Sequence, residues 1–105
     1  MDIITFQVEP HNIKAGKQGN CKTCPVALQL KQRYPDAEIE VHGDDVTMDG
    51  EKWVDNDGSL SEFVTVFDRD IDAIFDLNED ELAEHNALMD NWEVNGYPIE
   101  LRRAE

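Results

Sequence analysis

Cys21 and Cys24 stand three residues apart in the stretch GNCKTCPVALQL, residues 19 to 30. At the mouth of a helix, that spacing brings two sulfurs within reach of one metal ion or of each other. A helix N-terminus also lowers a thiol pKa, which favours thiolate chemistry. A structural zinc ion needs four ligands. His11 and His42 are the histidines that could complete the set, but the resulting H-x9-C-x2-C-x17-H matches no standard zinc spacing, and Asp or Glu could substitute. A redox pair usually follows a strand directly, whereas a loop intervenes here. The plainest account has Cys24 starting a helix and Cys21 as an ordinary loop residue. Zinc, thiol redox and helix start all stay open on these residues.

A second constellation runs from Asp68 to Glu79. Counted as a calcium loop, Asp68, Asp70, Asp72, Asp76 and Glu79 hold positions 1, 3, 5, 9 and 12, and carboxylates so spaced can wrap a hard cation. Ala73 stands where the sharp turn needs glycine, and Phe75 fills position 8. Strand alternation accounts for the same pattern by turning Asp70, Asp72 and Asp76 to solvent.

The third feature is charge. The chain has 24 acidic and 9 basic residues and a net charge of −15. Residues 34 to 101 hold 21 of the acids against Lys52 and Arg69 alone, a net of −19. Such a surface repels nucleic acid, which needs cationic patches, and attracts basic proteins. Glu38, Glu40, Asp44, Asp45, Asp49, Glu51, Asp55, Asp57, Asp68, Asp70, Asp72 and Asp76 are the candidate contacts for such a partner. Carboxylates spread over one face of a small rigid protein can imitate the phosphate array of DNA. Solubility, or adaptation to a salty cytoplasm, is the competing explanation.

No Gly-rich phosphate loop and no G-x-S-x-G occurs, and no residue set points to catalysis. Glu81, Glu84 and His85 read as an exposed helix face. The opening MDIITFQVEP has neither a basic segment nor a long apolar run, so no signal peptide is expected. No stretch approaches the roughly 20 apolar residues of a membrane span. A cytoplasmic protein is the expectation.

The elements that must position these residues follow from pattern. A chain of 105 residues with 40% hydrophobic content supports one folded domain. Ile4, Phe6 and Val8 alternate as a strand face, and a short helical turn is expected near His11–Ala15. Cys24 falls at an N-cap with Pro25 at the first helical position, and Pro35 ends that helix. Ile39 and Val41 point inward along a strand. Asp49-Gly50 is a type I′ hairpin signal that pairs Met48 with Glu51 and Val46 with Trp53. Ser59-Leu60-Ser61-Glu62 has the form of a capping box, followed by Leu60, Phe63, Val64 and Phe67 at helical spacing. Residues 71 to 77 alternate as a strand. Asn78 and Glu81 open a further helix, and Gly96 stops it or the turn after it. Tyr97, Ile99 and Leu101 form a last strand, which Pro98 assigns to a sheet edge. The fold class is therefore α+β, a small mixed or antiparallel sheet with two or three helices, in the order β-α-β-β-β-α-β-α-β.

The run HNIKAGKQGNCKTCPVALQL, a hairpin, then SEFVTVFDRD and FDLN resembles a set of small uncharacterised bacteriophage-type proteins. Cys24-Pro25-Val26-Ala27-Leu28 carries most of the likeness, which spans residues 3 to 77. Residues 78–105 then stand as a C-terminal extension of the same domain. The resemblance implies a phage-type setting in a host cytoplasm and a strand, not a calcium loop, at 72–77. It carries no activity. The expectation is a non-enzymatic acidic interaction module that inhibits a basic, nucleic-acid-binding host protein, without bound cofactor. The alternative is a metal-binding module, with zinc at Cys21 and Cys24 or calcium at Asp68–Glu79, or a thiol redox protein.

Overall fold

The computed structural model describes residues 2–18, 22–69 and 71–104. Its elements run β1 (Ile3–Val8), α1 (Pro10–Ala15), α2 (Pro25–Arg33), β2 (Ile39–Val41), β3 (Asp45–Met48), β4 (Glu51–Asp55), α3 (Ser59–Phe67), α4 (Ile71–Phe75), α5 (Glu79–Asn95) and β5 (Tyr97–Arg103). The strands form one antiparallel sheet in the order β1-β5-β4-β3-β2. The fold is α+β, as the sequence pattern implies.

The hairpin between β3 and β4 has the expected register, with Met48 opposite Glu51 and Val46 opposite Trp53. Asp49 and Gly50 both take positive φ, 51° and 83°, as a type I′ turn requires. The inward residues Ile4, Phe6, Val8, Ile39, Val41, Val46, Met48, Trp53, Ile99 and Leu101 make one face of the sheet apolar and buried. Helix α2 packs against both β1 and β2, the two outer strands, so the curled sheet has its edges bridged by one helix. The Arg33 guanidinium donates to the Thr5 carbonyl at 2.9 Å across that junction. Cys24 caps α2 as expected: its Sγ accepts from the Ala27 N–H at 3.5 Å, and Pro25 stands at the first helical position.

Helix α3 covers β4 and β5, and α5 packs against α1 and, through Trp92, against α3. Phe63 stacks on Trp92 with ring centres 4.9 Å apart, and Tyr97 lies 4.8 Å from Trp92. Residues 78–105 therefore supply a core tryptophan and the strand that joins β1 to β4. The capping box at the start of α5 is complete: Asn78 accepts from the Glu81 N–H at 2.8 Å, and Glu81 accepts from the Asn78 N–H at 3.3 Å.

Three expectations are corrected. The strand over 71 to 77 is α4, a short helix. Ala73 and Ile74 are its half-buried pair, while Phe75 is 78% exposed, so the inward side does not alternate. Its bonds are local, Asp76 N–H to the Asp72 carbonyl and Leu77 N–H to the Ile74 carbonyl, and no ladder forms. A short apolar run carries too little periodicity to separate strand from helix. Five helices and five strands are thus present among the described residues, rather than two or three helices and six strands. Pro98 does not mark an edge strand, because β5 pairs with β1 on one side and β4 on the other. Strand β4 reaches only Leu101 to Arg103, so at Pro98 the missing N–H deprives no second neighbour. Finally, Ser59 does not cap α3. It is the first helical residue, and the cap position is Gly58 at φ 85°.

Candidate functional site

The twelve expected contact carboxylates divide by what they touch. Asp55 reaches from the end of β4 to the start of α3: its Oδ1 accepts from the Gly58 and Leu60 N–H groups at 3.1 and 3.2 Å, and its Oδ2 from Ser61 at 2.9 Å. Asp57 accepts from the Ser59 hydroxyl and N–H. Those two bonds hold its carboxyl below the usual carboxylate range. Asp49 accepts from the Glu38 N–H at 2.8 Å and fixes the hairpin against β2. Asp45 pairs with Lys52 at 3.6 Å, Glu40 with Lys22 at 3.6 Å, and Glu51 with Arg103 at 2.7 Å. Glu38, Asp44, Asp68, Asp72 and Asp76 are exposed. Asp70 lies outside the described residues.

A denser array extends beyond that set. Helices α4 and α5 with their junction expose Asp72, Asp76, Glu79, Asp80, Glu81, Glu84, Asp90 and Glu93. No Lys or Arg occurs between residues 70 and 101. Along α5, six carboxylates span about 21 Å of axis, about one every 4 Å, at a rise of about 1.5 Å per residue. One strand of duplex DNA presents a charge every 3.4 Å or so.

Of the four expected metal ligands, Cys21 lies outside the described residues. Cys24 and His42 line one cavity of about 120 Å3, together with Asp68, Phe63 and Phe67. His11 sits apart on α1, with Nε2 3.2 Å from Gln32 Nε2 and Nδ1 3.4 Å from Glu9. Among the described residues, no three His, Cys, Asp or Glu side chains are arranged to hold a metal ion. For the calcium alternative, Asp72 and Asp76 stand on and just after α4, and Glu79 opens α5.

His85 is not part of an exposed face. It is only 7% exposed, on α5 one helical turn before Leu88 and two before Trp92. That 85, 88, 92 spacing is a core stripe that the sequence carried and that the neighbouring glutamates masked. The Arg69 guanidinium approaches His85 Nδ1 at 3.1 Å. Arg69 itself is held by Gln18, whose Nε2 donates to the Phe67 and Arg69 carbonyls at 2.6 and 2.9 Å. Burial first, and then the Arg69 charge, push the His85 pKa below its ordinary value. Both residues line a groove of about 400 Å3 between α3 and α5. Beside it, the Tyr97 hydroxyl donates to Glu62 at 2.9 Å. Burial and the Glu62 carboxylate raise the Tyr97 pKa above the usual phenol value.

No family model, curated protein or solved structure matches the chain. What the fold and site define is an acidic α+β domain. Among the described residues, no helix is long and apolar enough to cross a membrane.

Proposed function

We propose that this protein is a non-enzymatic interaction module that occupies the basic, nucleic-acid-binding surface of another protein. In the phage-type setting that the sequence resemblance implies, the partner is a host protein in the host cytoplasm, and occupation inhibits it. The observation that supports this reading is the run of eight exposed carboxylates on α4, α5 and their junction, with no cation between residues 70 and 101. Averaged along α5, their density is comparable with that of phosphates on one DNA strand, with four carboxylates crowded between Glu79 and Glu84 and a gap of about 9 Å before Asp90. Among the described residues Asp76, Glu84, Asp90 and Glu93 make no hydrogen bond or ion pair, unlike Asp55 or Asp49, whereas Asp72 lies in the first turn of α4 and Glu79, Asp80 and Glu81 in the first turn of α5.

The test is capture of basic proteins from a host lysate on the immobilised chain, followed by elution with duplex DNA or salt. Both should release the partner. A variant with Asp72→Asn, Asp76→Asn, Glu79→Gln, Asp90→Asn and Glu93→Gln should lose capture while keeping the fold. Capture indifferent to DNA, to salt and to this variant would refute the reading.

A second reading is a zinc module. It is favoured by Cys24 and His42, two of the four expected ligands, lining one cavity. Native mass spectrometry of protein purified without chelator tests it. Zinc retained by the parent and lost in Cys24→Ser would support it, and metal-free protein would remove it.

A further inference from the structure

Arg69 is the one basic residue between positions 53 and 101, and it is half-buried. Among the described residues, no carboxylate lies within ion-pair distance of its guanidinium. Its contact is instead with His85 Nδ1, at 3.1 Å. A guanidinium has only donors, so Nδ1 must accept, and the neutral ring then carries its proton on Nε2. Arg69 and His85 both line the groove between α3 and α5, together with Ser61 and Thr65. Such a site, with a guanidinium that has no ion-pair partner among the described residues, suits a carboxylate.

A simple anion is opposed by the net charge of −15 and by three glutamates in the same groove. Glu62 already accepts from Tyr97, and Glu81 from the Asn78 N–H. Glu84 has no hydrogen-bond or ion-pair partner among the described residues, so it is the acceptor available for a cation. Val66 and Leu88 give the groove an apolar lining, and its volume of about 400 Å3 falls in the range of small-molecule sites. We propose that the groove binds a free aliphatic α-amino acid, its carboxylate on Arg69 and His85, its ammonium on Glu84 and its side chain on Val66 and Leu88. A zwitterion has no net charge, so the acidic field that repels an anion does not oppose it. The groove shares Glu81 and Glu84 with the acidic face, but it contains none of the five side chains changed in the capture variant.

The test is titration of the full chain with L-leucine, followed by amide resonances of α3 and α5. N-acetyl-L-leucine, which lacks the ammonium, and L-leucinamide, which lacks the carboxylate, are the controls. Leucine should bind saturably, and each control should be weaker by at least about tenfold, the loss of one charge-assisted contact. Arg69→Gln and Glu84→Gln should each weaken leucine by a similar factor. Glu84 is exposed and has no partner among the described residues, so its variant folds like the parent even where Arg69→Gln does not. No saturable shift with leucine or any other standard amino acid up to about 10 mM, a bound too weak for a specific site, would overturn the assignment. Leucinamide binding as tightly as leucine, or Glu84→Gln without effect, would overturn it as well.

Discussion

Replacing Asp55 by alanine should cost more stability than any other single change to the expected partner-contact carboxylates. The Asp55 carboxylate accepts from three backbone N–H groups at the start of α3, those of Gly58, Leu60 and Ser61. The cap residue is glycine, so no side chain at that position can take over. Losing an N-cap costs about 0.5–2 kcal/mol, and a half-buried carboxylate with three acceptor contacts belongs at the upper end. Its charge beside the helix N-terminus adds about 0.3–1 kcal/mol. The sum is about 2–3 kcal/mol, or about 10–20 °C in Tm for a domain of this size. Asp55→Asn keeps one acceptor oxygen and should lose about half as much. Ser59→Ala tests the rival account directly. Ser59 donates to Asp57 and accepts from the Glu100 N–H, bonds that secure the loop without capping the helix, so its loss should cost about 1 kcal/mol. Urea unfolding followed by the fluorescence of buried Trp53 and Trp92 would measure all three. An Asp55→Ala loss below about 0.5 kcal/mol, or a larger loss in Ser59→Ala, would refute the assignment of the cap to Asp55.

Gly96→Ala should destabilise by about 2–3 kcal/mol in the same assay, because φ 77° with ψ −171° is glycine territory. A Cβ there would also stand 2.6 Å from the Val8 carbonyl oxygen. Trp92→Ala should cost about 3–5 kcal/mol, whereas Trp92→Phe keeps a ring against Phe63 and should cost less than half of that. The folded His85 pKa lies below the unfolded value of about 6.5, so the stability linked to its neutral ring is complete above that pH. It is lost as pH falls from about 6.5 toward the folded value; His85→Gln should flatten the pH profile of Tm there. Glu62, Glu81 and Glu84 also line the groove and favour the charged ring, but burial and Arg69 outweigh them.

What could be read from the sequence depended on how local its cause was. The β3–β4 register follows from two turn residues and the alternation beside them, and the structure has that register residue for residue. The Cys24 cap and the Asn78–Glu81 box are likewise settled within four residues. Where the determinant lay farther along the chain, the pattern misled. Ser59 and Glu62 have the spacing of a capping box, but Asp55 reaches the first turn from the preceding strand and supplies the acceptors instead. Pro98 forbids a bond on one side of β5, yet β4 ends before that point, which no window around Pro98 reveals. His85 was hidden by its charged neighbours, and its partner Arg69 comes from beyond the end of another helix. The candidate site was legible as charge and not as geometry. Composition predicted an acidic surface, but not which carboxylates the fold consumes.

That division bears on how function can be probed. Asp55, Asp49, Asp45 and Glu51 each hold a backbone group or a cation in place, so neutralising them changes the fold and the charge together. Asp76, Asp90 and Glu93 are exposed and hold nothing among the described residues. Like charges that contribute no contact raise the energy of the compact state through mutual repulsion. Neutralising them should therefore leave stability unchanged or raise it slightly, and raise it more at low salt than at high salt, where repulsion is already screened. A carboxylate set that costs stability and supports no contact is explained by a role outside the folded chain. If neutralisation instead lowers Tm, those side chains serve the fold, and the acidic helices lose their standing as a partner surface.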